Sequence, residues 1–133
     1  MGESQRVTQL RETYEAFNAG DFERALLHAH PEFELQRPEG GPYEGGTVRG
    51  HEAVLEYLAP DAFDQQLVTP LEFTEVGDEV VLVRLTAYAR GAGSGIEIEE
   101  EVSHVWRIRD GRAVRLEVYP SHARAREAAG LEN

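Results

Sequence analysis

Near residue 66 the apolar residues of this 133-residue chain change their period from helical to alternating. That change bounds the fold more tightly than any other feature. Upstream, "SQRVTQLRETYEAFNAGD" sets Val7, Leu10, Tyr14 and Phe17 at helical spacing, with Ser4 as a cap and a glycine stop. Asp21 then heads a second short helix, "FERALLHAH", expected to end near Pro31. "FELQRP" reads as a short strand, "EGGPYEGGTVRG" as a loop, and "GHEAVLEYLAPDAF" as a helix apolar at Val54, Leu55 and Leu58. Downstream, "QLVTPLEFTEVG", "DEVVLVRLTAYARG", "IEIEEEVSHVWRIRDG" and "RAVRLEVYP" read as strands, with Pro70 marking an edge or a bulge. "SHARAREAAGL" closes the chain as a short helix. Helices followed by an antiparallel meander make an α+β fold, a curved sheet packed on helices from one side. No repeat or linker interrupts it, so residues 1–133 are expected to form a single domain.

Composition removes several kinds of function. Cysteine is absent, which excludes disulfides, thiolate metal sites and cysteine nucleophiles. Acidic residues outnumber basic ones 25 to 13, for a formal charge of −12, and every basic residue is arginine. Scattered arginines on so acidic a chain argue against nucleic-acid binding. No apolar run approaches the roughly 20 residues that span a bilayer, and "MGESQRVTQL" lacks an apolar leader segment. A cytoplasmic protein that engages no membrane is the expectation.

Side-chain parity decides which residues look inward. In "IEIEEEVSHVWRIR" one face carries Ile96, Ile98, Glu100, Val102, His104, Trp106 and Ile108. The other carries Glu97, Glu99, Glu101, Ser103, Val105, Arg107 and Arg109. The apolar face must meet the helices. On the last strand Val114, Leu116 and Val118 oppose Arg115, Glu117 and Tyr119. A three-residue turn at "RDG", with Gly111 left-handed in a G1 bulge, sets Ile108 opposite Arg112, His104 opposite Leu116 and Trp106 opposite Val114. A two-residue Asp-Gly turn would set apolar against charged faces.

An inward histidine on an apolar strand is either a core residue with one hydrogen bond or part of a site. Trp106 is foremost a block of buried area. Glu100, inward and ionisable, belongs at an open rim. The five histidines form no metal pattern, "GAGSG" lacks the strand-to-helix setting of a phosphate loop, and "EIEEE" is a solvated strand face.

The segments "LRETYEAFNAGDFERALLHAHPEFELQRP", "VRGHEAVLEYL" and "VGDEVVLVRLTAYARGAGSGIEIEEEVSHVWRIRDGRAVRLEVYPSHARAREAAGL" resemble the SnoaL-like polyketide cyclase family. That family lies within the superfamily of ketosteroid isomerase and nuclear transport factor 2. The likeness is most specific at "YEAFNAGDFE", "GHEAV" and "HVWRIRDG", and it covers nearly the whole chain. It implies a cone-shaped curved antiparallel sheet wrapped around a long N-terminal helix, with two further short helices and a pocket at the wide end. It also implies a homodimer, for which Val105, Ala113 and Tyr119 offer apolar groups on the outer face. The fold hosts isomerases, cyclases, epoxide hydrolases, dehydratases and non-catalytic binding modules.

Residue by residue, Tyr14 matches the helix tyrosine that donates to the steroid oxyanion in ketosteroid isomerase. His104 matches the protonated aspartate beside it. Arg37 falls where the isomerase has its aspartate base, a departure, because arginine does not act as a base at ordinary pH. "YPSH" departs likewise where the cyclases carry an acidic base. The catalytic candidates are therefore Tyr14, His104 and Arg37, in a pocket lined by Phe17, Phe33, Leu35, Trp106, Leu116 and Val118. The ligand expected there is small, apolar or carbonyl-bearing, with any anionic group near Arg37. No metal and no cofactor is expected. Two functions follow: a cofactor-independent isomerase, cyclase or lyase using Tyr14 and His104 as oxyanion donors, or a non-catalytic binding protein with the same pocket. Alternatively, Arg37 pairs with Glu100 or another carboxylate and closes the cavity as a structural ion pair.

Overall fold

A computed structural model describes residues 3–36, 46–58 and 63–131. Helix α1 (Gln5–Asn18) starts where the Ser4 hydroxyl accepts the Val7 N–H at 3.2 Å, and it buries Val7, Leu10, Tyr14 and Ala16. Asp21 caps α2 (Phe22–Ala25) by accepting from the Arg24 N–H. Then come β1 (Ala29–Gln36), β2 (Thr47–Arg49), α3 (His51–Leu58), β3 (Phe63–Val76), β4 (Val80–Gly91), β5 (Glu97–Arg109), β6 (Arg112–Tyr119) and α4 (His122–Ala128). The strands form one curved, unclosed sheet in the order β2-β1-β6-β5-β4-β3, antiparallel throughout except for the parallel β1–β6 pair. The fold is α+β, with α1 and α3 on the inner face. No helix among the described residues is long and apolar enough to cross a membrane.

Several boundaries differ from the sequence reading. The second helix ends at Ala25, and Ala29 already pairs with Ala113 of β6. Pro31 sits in the strand instead of terminating the helix. It lies in the irregular stretch between Ala29 and Glu34, where a missing N–H costs no ladder bond. "TVR", read as loop, is strand β2, tied to β1 by Leu35 opposite Val48. Phe63, read as the end of the third helix, instead begins β3. Pro70 meets both halves of its expectation, since β3 is the sheet's edge and its register shifts between Pro70 and Glu72.

The hairpin between β5 and β6 is the main correction. Arg109 pairs with Arg112, so the loop is the two residues Asp110 and Gly111, with φ of 53° and 76°. Positive φ at both central residues is the type I′ signature, whose twist matches the strands it joins. Parity survives because a bulge follows at once: Arg107 pairs with Arg115 and Ile108 with Ala113, leaving Val114 as the extra residue. The partners therefore shift, to Trp106 opposite Leu116 and His104 opposite Val118. Ala113 exchanges faces with Val114 and packs against the inner core, while Val114 borders an outer groove. A Cβ at Gly111 would meet no atom within 4 Å, so only backbone strain opposes one. Gly111→Ala should destabilise by about 1–2 kcal/mol in urea unfolding; an unchanged midpoint would mean that the loop is not held in this turn.

The two faces of the sheet build two cores. Val81, Val83, Leu85, Trp106, Ile108 and Leu116 pack inward against Val7, Leu10, Tyr14 and Val54. Outside, α4 lays Ala125 and Ala129 over Leu82 and Val105, with Tyr119 packed beside them. Val105 is thus fully covered within one chain, Tyr119 is half-buried, and Ala113 faces inward. They are not the open apolar face on which a dimer was expected to rest. Around α4 the polar groups pair closely: Ser103 with His122 at 2.7 Å, and Arg107 donating to the Ala128 carbonyl at 2.9 Å. Ile96 and Ile98, read as inward, stand exposed on the far end of the sheet.

Candidate functional site

The inner face leaves a cavity of about 360 Å³ among apolar side chains. Helix α1 contributes Tyr14 and Phe17 to its wall, and β1 contributes Phe33 and Leu35. From β5 come His104 and Trp106, and from β6 Leu116 and Val118. Each of these is a residue expected at the pocket from the sequence analysis, and the fold brings all of them to one space. Arg37 lies outside the described residues. Glu100 borders the cavity while remaining exposed, the rim position its charge requires.

The sequence reading missed the wall opposite the sheet's centre, made by Val54, Tyr57 and Leu58 of α3 with Phe63 and Gln66 of β3. The apolar spacing of α3 signalled a buried face, but which cavity that face closes depends on how the helix crosses the strands. Gln66 donates to the Leu58 carbonyl at 3.1 Å, linking α3 to the β3 edge. His28, 3.5 Å from Glu12, also borders the space. Among the described residues, no three histidine, aspartate or glutamate side chains are grouped to hold a metal ion.

Three side chains are hydrogen-bonded in series in this apolar surrounding. Trp106 Nε1–H donates to the Tyr14 hydroxyl oxygen at 2.8 Å, and that oxygen lies 2.9 Å from His104 Nδ1. The rings support the geometry, with Tyr14 edge-on to Trp106 and stacked against His104 at centroid distances of 6.0 and 5.8 Å. Burial pushes the Tyr14 hydroxyl far above the ordinary phenol range, an effect that the Trp106 N–H only partly offsets. Burial also holds His104 down, to a pKa of about 3. Both groups are neutral at neutral pH.

That neutrality limits what the series can offer. Indole nitrogen only donates, so the Tyr14 oxygen is its acceptor. Between Tyr14 and Nδ1 lies a single hydrogen, and there are two ways to place it. If Tyr14 donates to Nδ1, then Nε2–H is left to donate and the tyrosine oxygen keeps a lone pair. If Nδ1–H donates to Tyr14, the phenol hydrogen is free and Nε2 becomes the acceptor. Either way the site presents one donor and one acceptor. Two simultaneous donors, as expected from the resemblance, would require an imidazolium that this burial opposes.

Comparison with known proteins agrees with this architecture. The SnoaL-like domain matches residues 10–116. No curated protein matches the chain. Among solved structures, an NTF2-like protein of unknown function from Burkholderia pseudomallei is 30% identical, covering 94% of this chain and 97% of its own, with a TM-score of 0.77. TerC, co-crystallised with polyporic acid, is 29% identical over 96% of this chain and 99% of its own, also at 0.77. A Mycobacterium tuberculosis protein in complex with estradiol-17beta-hemisuccinate shares the fold at 17% identity, covering 87% and 93%, with a TM-score of 0.73.

Proposed function

This chain belongs to the SnoaL-like domain family, and from that premise we propose that its cavity takes a small apolar molecule whose oxygen function hydrogen-bonds to the Tyr14–His104 pair. On that molecule the protein acts as a cofactor-independent isomerase, cyclase or lyase. The observation carrying this reading is the Trp106–Tyr14–His104 series within an otherwise apolar wall. A plain core would more simply place leucine or phenylalanine there, because buried polar groups are costly unless each finds a hydrogen-bond partner. The polyporic acid held by TerC and the estradiol ester held by the mycobacterial protein support a small organic ligand.

A second reading, non-catalytic binding, also has an observation in its favour. Among the described residues, the sole carboxylate bordering the cavity is Glu100, exposed at its edge. Among the described residues the usual acidic base has no counterpart on the inner wall. A thermal-shift screen of ring ketones, quinones and phenols, followed by product analysis on every hit, separates the two. A hit that is converted supports the enzyme. Hits that are only bound favour the binding protein, and a screen of such compounds with no shift at all removes the pocket reading.

Arg37, next in the chain after β1, is assigned in this proposal to an anionic substituent of the ligand. Arg37→Ala should weaken a carboxylated ligand about tenfold or more while changing its neutral, same-shaped analogue little, as expected for a lost charge-assisted hydrogen bond. Equal weakening of both would assign the arginine a packing role.

A further inference from the structure

We propose that Glu100 selects the ligand of this cavity by a second polar group. The ligand then has an oxygen function at the Tyr14–His104 pair and, at its other end, a hydrogen-bond donor, hydroxyl or ammonium, on the Glu100 carboxylate. This rests on the pocket reading above and adds the chemistry of the ligand's far end. Every inward residue of β5 from Ile108 to Glu100 borders the cavity, so the strand lines it over that whole stretch. His104 and Glu100 stand on the same face, four residues apart. At about 3.3 Å per residue, roughly 13 Å separates their Cα atoms. A rigid, elongated molecule of joined or fused rings matches that span.

Nothing in the described chain uses this carboxylate. Glu100 makes no hydrogen bond or ion pair to another described residue. The outward glutamates beside it are engaged: Glu97 accepts from the Tyr88 hydroxyl and Glu101 from Arg84, each at 2.7 Å. Glu100 instead stands between Ile98 and Val102 and opposite Ala87, none of which can neutralise it. The other charged groups on the wall already have partners. Arg6 donates to Glu75 and to the Gly77 carbonyl, and His28 lies 3.5 Å from Glu12. Among the described residues, Glu100 is the charged wall group left for a ligand.

A carboxylate only accepts, so it takes an O–H or N–H and discriminates against a carbonyl, an ether or a second carboxylate. The Tyr14–His104 pair has no such preference, because its shared hydrogen can be placed either way. The inner pair therefore holds an oxygen of either kind, and Glu100 decides which way round the molecule lies. An anionic substituent, the group assigned above to Arg37, is kept from this end by charge repulsion. A few placed polar groups in an apolar wall are the usual means by which a pocket sets orientation.

The test uses three ketones of one shape, 4-(4-hydroxyphenyl)cyclohexanone, its methyl ether and 4-(4-oxocyclohexyl)benzoic acid. Each is titrated calorimetrically into the full-length protein and into Glu100→Ala. The parent should bind the phenol about tenfold more tightly than the ether, as expected for a hydrogen bond to a charged acceptor, and the acid most weakly. In Glu100→Ala the phenol should weaken to the level of the ether, the ether should change little, and the acid should tighten. The melting temperature should stay that of the parent, since the carboxylate holds nothing within the chain. A lower melting temperature would reveal a structural partner and overturn the assignment. Equal affinities for phenol and ether in the parent, or a preference that survives in Glu100→Ala, would overturn it and leave the pocket reading standing. Binding of other ring ketones but none of these three would overturn the two-ended ligand alone. No binding and no thermal shift with any ring ketone would remove the pocket reading, and this assignment with it.

Discussion

Trp106→Ala should lower the stability of this protein by about 3–5 kcal/mol, a fall in melting temperature on the order of 10 °C or more. The indole is 6% exposed, is stacked near Phe33 at a centroid distance of 6.2 Å, and is edge-on to Tyr14. Truncation removes that apolar area, enlarges an existing cavity, and takes away the donor to the Tyr14 oxygen. Trp106→Phe divides these contributions, since it keeps most of the ring and loses the N–H. It should cost about 1–2 kcal/mol, the scale of one buried hydrogen bond. Denaturant unfolding of both variants gives the comparison. A Trp106→Ala protein as stable as the parent would place the ring outside the core, and the inward face of β5 with it.

The second large effect is a loss of stability in mild acid that His104 imposes. Its folded pKa is depressed by burial, from 6.5 to about 3, while in the unfolded chain the ring is free to take up a proton. Above pH 6.5 both states hold it neutral, and it contributes no pH dependence. As the pH falls below 6.5 the unfolded state binds a proton that the native state refuses, so unfolding is favoured until the folded pKa is reached. At about 1.4 kcal/mol per unit, this amounts to roughly 2 kcal/mol between pH 7.5 and pH 5. His104→Gln removes this term, and the other ionisable groups are common to both proteins. The parent should therefore lose about 2 kcal/mol more than the variant over that range in urea titrations. Parallel stability curves for the two would show a histidine in contact with water.

These effects bear on how far the function can be reasoned from residues alone. Period two along β5 is a local property of a pleated strand, so the inward direction of His104 and Trp106 was legible from the order of apolar and charged residues. The helical spacing of Val7, Leu10, Tyr14 and Phe17 marked the face of α1 that meets the sheet, for a similar reason. Most of the cavity wall follows from those two periods. The wall from α3 and β3 does not, because an amphipathic helix states which side is buried and not what it is buried against.

The hairpin after β5 shows where local reasoning stopped. Asp110-Gly111 by itself predicts a two-residue turn, yet parity on two regular strands forbids one. A single bulge at Val114 reconciles them, a correction that depends on the sheet's twist and on the packing of Ala113 inside. The outer face shows the same limit. Val105 reads as an exposed apolar residue on a charged strand, until α4 returns across the sheet and covers it with Ala125 and Ala129.

By itself, then, the order of residues determined the α+β class, the inward faces and most of the candidates for the pocket. All of these come from periodicities that act over a few residues. Only the tertiary structure decided that the Tyr14 hydroxyl lies 2.9 Å from His104 Nδ1, across 90 positions of chain. It likewise decided that one hydrogen is shared there and that burial keeps both groups neutral. Distance between elements and exclusion of water arise from how helix and sheet pack together, and no spacing along the chain encodes them.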